Sequence, residues 1–81
     1  MNKGYYGVLL DRILDDAAQV NRTADEKDVE RNRVNYGAIT AWQRVLHDIG
    51  HDVEALCYED NGFLIISKIV ADGETYFDFE R

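Results

Sequence analysis

At Gly50 the apolar rhythm of this chain changes from helical to alternating, and that switch limits the folds open to it. Before Gly50, large apolar residues recur at steps of three and four; after it, they recur at steps of two. Tyr6, Leu9, Leu10, Ile13, Leu14, Ala17 and Ala18 predict an amphipathic helix over about residues 4–20, with Asp11, Arg12, Asp15 and Asp16 on its wet side. Asn21 and Arg22 interrupt the pattern. Thr23 and Glu26 have the spacing of a capping box, so a second helix is expected over 24–49. Ile39, Trp42, Leu46 and Ile49, flanked by Ala38, Ala41 and Val45, give that helix a stripe wide enough to be covered on two sides. It reads as the central rod of the core, with Trp42 between layers and Gly50 as the residue just past its end. Its first half, ADEKDVERNR, is almost wholly charged and reads first as an exposed helix paired with the first one, and otherwise as a solvated arm or a segment that stays loose until a partner arrives.

After the switch, strands are expected at about 53–58, 63–70 and 75–80, because VEALCY, FLIISKIV and TYFDFE are rich in β-branched and aromatic residues. EDNG and ADGE separate them, and either turn allows two registers. A two-residue turn places Lys68 on the face of Phe77 and Phe79. A type I turn with a glycine bulge pairs Glu59 with Phe63 and Val70 with Glu74. That bulged register is preferred, since it gathers Val53, Ala55, Cys57, Ile65, Ser67, Ile69, Phe77 and Phe79 on one uncharged face and sets Glu54 opposite Lys68. The expectation is one α+β domain spanning 1–81, ordered α-α-β-β-β, with two helices packed on a three-stranded antiparallel meander.

The opposite face then carries Leu56, Tyr58, Leu64, Ile66 and Tyr76 beside acidic groups. Five large apolar or aromatic side chains close together predict a covered surface, for a target protein or a second subunit. An 81-residue core is marginal, which favours some staple such as a metal or a homodimer. On this reading Ile66→Glu leaves the fold intact and splits the dimer. Cys57 is the only cysteine, so no intrachain disulfide is available, as suits a reducing cytoplasm. No apolar run reaches the length of a spanning helix and no leader opens the chain, so a cytoplasmic protein without membrane contact is expected.

The net charge of −7 is placed unevenly. Acids and bases balance up to His47. From Asp48 onward, Asp48, Asp52, Glu54, Glu59, Asp60, Asp72, Glu74, Asp78 and Glu80 face only Lys68 and Arg81. Such a surface repels nucleic acid and attracts basic protein surfaces. Glu54, Glu59, Asp60 and Asp78 join Leu56, Tyr58, Leu64, Ile66 and Tyr76 as the candidate partner-binding residues.

For chemistry, His47 and His51 stand four apart, a spacing that on a continuous helix aims both imidazoles at one zinc ion. Asp52 and Cys57, or Asp48, complete the candidate shell. The string from Leu46 to His51 resembles the metal motif of the HD phosphohydrolases. That family also needs an upstream His and a distant Asp on separate helices of an all-helical domain. Here no His precedes His47 and strands follow, so the hydrolase activity is not carried over. Ser67 lacks a glycine elbow, Cys57 reads as a small inward hydrophobe, and no phosphate-binding glycine loop exists. A catalytic role is not expected.

The segment Asn35-Tyr36-Gly37-Ala38-Ile39-Thr40-Ala41-Trp42, with Val45-Leu46 and Ile49-Gly50-His51, resembles small proteins of Gram-positive phages and prophages. Phage proteins of this size and acidity include many anti-CRISPR proteins. The resemblance implies a non-catalytic inhibitor in the host bacterial cytoplasm, binding a defence nuclease such as a Cas effector and blocking nucleic-acid loading or activation. The alternative is a small self-associating structural or regulatory phage protein that binds zinc.

Overall fold

In a computed structural model, which describes residues 4–79, the chain forms α1 (Gly4–Asp25), α2 (Val29–Asp48), β1 (Val53–Asp60), β2 (Phe63–Ala71) and β3 (Glu74–Asp78). The three strands are antiparallel in the order β1-β2-β3. The α-α-β-β-β architecture read from the periodicity switch is therefore the fold. The expected end of the third strand at residue 80 lies outside the described residues.

The first helix is longer than its apolar pattern suggests. It runs through Asn21 and Arg22 because Thr23 is not a cap: its hydroxyl donates back to the carbonyls of Gln19 and Val20. Asn21, whose side chain would otherwise compete for its own backbone, is occupied with β2. The helix stops one turn later. Asp28 N–H bonds to the Thr23 carbonyl and Lys27 N–H to that of Ala24, around Lys27 at φ 58°. That is a Schellman ending with lysine where glycine is usual. Asp28 then caps α2, its carboxylate accepting from Arg31 N–H. Gly50 closes α2 as expected, by the same pair of bonds around φ 97°.

The central rod is α1, not α2. Leu9, Leu10, Ile13, Ala17, Val20 and Ala24 of α1 are buried, whereas α2 buries only Asn32, Ile39 and Leu46. Those three stand seven apart, a narrow stripe that one neighbour suffices to cover. Trp42 is half-buried, with the Arg12 guanidinium 5.5 Å above its ring, and Ile49 is 48% exposed beyond the helix end.

The register also differs from the preferred one. Both hairpins have two-residue turns, pairing Asp60 with Phe63 and Ala71 with Glu74. Asn61-Gly62 and Asp72-Gly73 have positive φ at both positions, the type I′ geometry whose twist matches the strands. The extra residues sit inside the strands instead. Ser67 bulges between the pairs Leu56–Lys68 and Cys57–Ile66, and Tyr76 between Ile69–Phe77 and Val70–Thr75. The Ser67 bulge reverses the alternation of β2 midway. Leu64 and Ile66 therefore face the helices along with Ile69 and Ala71, while Lys68 turns outward. Ile66 is 0% exposed in the main core, so it is no surface residue, and Glu54 lies opposite Val70 rather than Lys68. Ile65, on the other side of the strand, is buried as well.

Candidate docking surface

β2 is the middle strand, yet β3 pairs only with its second half, from Lys68 to Ala71. Beyond that, Phe79 N–H reaches the Ser67 carbonyl. The backbone groups of Leu64 and Ile66, which point away from β1, need other partners. Two asparagines supply them. Asn32 accepts from Leu64 N–H at 2.9 Å and donates to its carbonyl at 3.0 Å. Asn21 does the same for Ile66, at 2.8 and 3.0 Å. Asn32 also donates to the Val20 carbonyl at 2.9 Å, tying the two helices together at their turn. Among the described residues, the buried polar side chains of Asn21, Thr23 and Asn32 all have partners, those of Thr23 being the carbonyls of Gln19 and Val20.

The same bonds fix which way β1 points. Leu64 and Ile66 pair with Glu59 and Cys57 without exchanging ladder bonds, so Glu59 and Cys57 turn their own N–H and C=O groups away from β2. The Asp72 N–H to Asp52 carbonyl bond, 2.7 Å, sets the same phase at the other end, directing the groups of Val53 and Ala55 outward. Gln43 Nε2 takes the Val53 carbonyl at 2.8 Å. Among the described residues, no comparable plug covers Ala55, Cys57 or Glu59.

The sheet face turned from the helices carries Glu54, Leu56, Tyr58 and Asp60 of β1, Lys68 and Val70 of β2, and Thr75 and Asp78 of β3. Leu56 and Tyr58 are 45% and 43% exposed. Of the residues expected to bind a partner, Glu54, Leu56, Tyr58, Asp60 and Asp78 are thus brought together on this face. Leu64 and Ile66 are not, for the bulge places them in the core. Glu59 lies on the helix side, where its carboxylate meets Arg33 at 3.5 Å in an exposed ion pair. Tyr76 is the bulged residue near Tyr6; donating its hydroxyl to Glu74 at 2.8 Å pushes its pKa up to about 12.

The expected zinc shell does not assemble. The glycine turn at Gly50 takes His51 out of α2, so the spacing to His47 no longer aligns the imidazoles. His51 instead stacks on Tyr6, centroids 4.0 Å apart, and its Nδ1 lies 2.7 Å from Asp72 Oδ2. Asp52 offers Asp72 its backbone N–H rather than its carboxylate. Cys57 sits on the strand, its thiol 3.6 Å from the Tyr36 hydroxyl, and that contact raises the phenol's pKa. Among the described residues, no three His, Cys, Asp or Glu side chains gather as metal ligands would. The Asp72 carboxyl is held below the ordinary aspartate value, first by Asp52 N–H and then by His51.

Asn21 and Asn32 are the residues the sequence reading missed. One signal was present: Asn32 precedes Ile39 and Leu46 by one and two heptads, on the stripe that the helix buries. Among the described residues no helix is long and apolar enough to cross a membrane. No protein-family model, curated protein or solved structure matches this chain.

Proposed function

We propose that this protein is a non-catalytic inhibitor that docks, through its acidic outer sheet, on the basic surface of a nucleic-acid-handling protein. The observation that carries this reading is the placement of Leu56 and Tyr58. They are solvent-exposed on a sheet face with Glu54, Asp60 and Asp78, where Lys68 is the single base among the described residues. An exposed aromatic and aliphatic centre with a polar, mostly acidic rim is the anatomy of a protein interface. The sign selects a basic partner and repels nucleic acid, so the target's nucleic-acid site is the surface it competes for.

The resemblance of the Asn35–Trp42 segment to phage proteins supports one target class, a host defence nuclease of the Cas effector kind, whose loading or activation the bound inhibitor blocks. Such a target places the protein in the bacterial cytoplasm. Exposed charges are screened over about 8 Å at physiological ionic strength, so the association is fast at low salt and slows as salt rises.

The test uses the wild type and a Glu54→Lys/Asp78→Lys variant as baits in a bacterial lysate, followed by a cleavage assay on any nuclease recovered. Recovery of a nuclease by the wild type alone, with its cleavage suppressed, supports the reading. Equal recovery by both baits removes the acidic sheet as the docking surface. Recovery of a nuclease whose cleavage is unaffected ends the inhibitor reading.

A further inference from the structure

The two open flanks of this sheet are treated differently. On the β2 side, Asn32 and Asn21 close every backbone group that β3 leaves exposed. On the β1 side, Gln43 closes the Val53 carbonyl, and among the described residues nothing closes the outward groups of Ala55, Cys57 and Glu59 that follow in a row. β1 is eight residues long, contains no proline and no lysine, and stays regular because both bulges fall on its neighbours. Proteins ordinarily blunt an edge of that kind with charged side chains, proline or a bulge, and on β1 only its acids do so. An edge guarded by acids alone remains a template for a strand of opposite charge.

The charge of β1 decides what that strand is. Glu54, Glu59 and Asp60 lie within it and Asp52 just before it, with no base among them. A second copy is a poor occupant. Antiparallel self-pairing centred on Cys57 sets Glu54 opposite the other copy's Asp60, and pairing centred on Leu56 sets Asp52 opposite the same residue. Like charges directly opposite one another destabilise a strand pair. An incoming strand with Lys or Arg opposite Glu54 and Glu59, the latter shared with Arg33, and apolar residues opposite Leu56 and Tyr58, sets no acid against an acid. It adds to the exposed apolar face instead of leaving that face half covered.

We infer that the free edge of β1 accepts an extended, basic strand from another protein, which adds to the sheet antiparallel to β1 as its fourth strand. The inference rests on the docking reading above and specifies its mode: backbone hydrogen bonds along Ala55, Cys57 and Glu59 give the affinity, and the acids of β1 give the selectivity.

The probe is a blocked Lys-Val-Ser-Val-Thr-Lys peptide, titrated at low salt into the isotopically labelled full chain and followed by amide shifts and hydrogen exchange. The amides of Ala55, Cys57 and Glu59 are expected to shift saturably, and their exchange to slow about tenfold as they join a ladder. A peptide with Glu in place of Lys, or with proline in place of serine, leaves them unchanged. Cys57→Pro removes one outward N–H that the β1–β2 ladder does not use, and abolishes the effect. If that variant does not fold, Glu54→Lys/Glu59→Lys reads the same point: the basic peptide is lost and the acidic one gained.

Saturable shifts confined to Leu56, Tyr58 and Lys68, with exchange at Ala55, Cys57 and Glu59 unchanged, overturn strand addition and leave docking on the face standing. Slowed exchange at those three amides without peptide, together with a dimer mass, overturns the choice of occupant. No saturable shift anywhere overturns the inference and removes support from the docking reading as well.

Discussion

Asn32 pairs with Leu64 as a neighbouring strand would, accepting from its N–H at 2.9 Å and donating to its carbonyl at 3.0 Å. The side chain is fully buried, and it holds the Val20 carbonyl as well. Asn32→Ala therefore strands the N–H and the C=O of Leu64 at once, while the Val20 carbonyl keeps the Thr23 hydroxyl. An unsatisfied buried group costs about 1–3 kcal/mol, and the two share one site, so a loss of about 2–3 kcal/mol is expected. Urea denaturation should show a lower midpoint with an unchanged slope. A loss under about 1 kcal/mol would mean water replaces the amide freely.

Ile66→Glu separates the observed register from the one its sequence favours. In the bulged-turn register Ile66 faces outward and the substitution is tolerated. In the observed one it places a carboxylate in the main core, where an unpaired charge costs several kcal/mol or is neutralised. The expected outcome is an unfolded or molten chain at neutral pH by near-ultraviolet circular dichroism.

Lys27 and Gly50 occupy equivalent left-handed positions at the ends of the two helices. Only glycine takes that conformation without steric cost. Lys27→Gly is expected to stabilise by up to about 1 kcal/mol, less whatever the lysine gains from its placement over Phe63. A gain near the upper end raises the melting temperature by roughly 4–8 °C in a domain of this size. Gly50→Ala has open space for its Cβ and should destabilise through backbone strain alone, by about 1 kcal/mol.

Asp72 joins two turns, accepting from Asp52 N–H and facing His51. Its folded-state pKa is depressed, so the contact stabilises the fold above the ordinary aspartate range and is lost as pH falls through the folded value. Asp72→Asn should therefore be less stable than wild type at pH 7, with the two stability curves converging in strong acid. Curves that stay parallel down to pH 2 would assign the effect to something other than the charge.

The architecture was legible because the period change at Gly50 and the two Asx-Gly turns are local signals. What was not legible depended on contacts distant in sequence. Asn21 looks like a helix breaker until its amide is seen on Ile66, forty-five residues away. The turns were read as carrying the bulges, because a glycine bulge clears the charge from one face as neatly as the bulge at Ser67 does. That choice misplaced Leu64 and Ile66 and left Glu54, Leu56, Tyr58, Asp60 and Asp78 correctly grouped, since β1 itself keeps its alternation. The zinc shell failed for a local reason: the glycine that ends α2 falls between its two histidines.

Inhibition by an acidic, non-catalytic docking surface is read out in a nuclease assay. A Cas effector loaded with guide RNA is titrated with the wild type and with Glu54→Lys/Asp78→Lys, at low and at physiological salt, and target cleavage is followed. Dose-dependent suppression by the wild type that weakens as salt rises is expected, with little suppression by the charge-reversed chain at equal thermal stability. Suppression of equal strength by both chains, indifferent to salt, would contradict it.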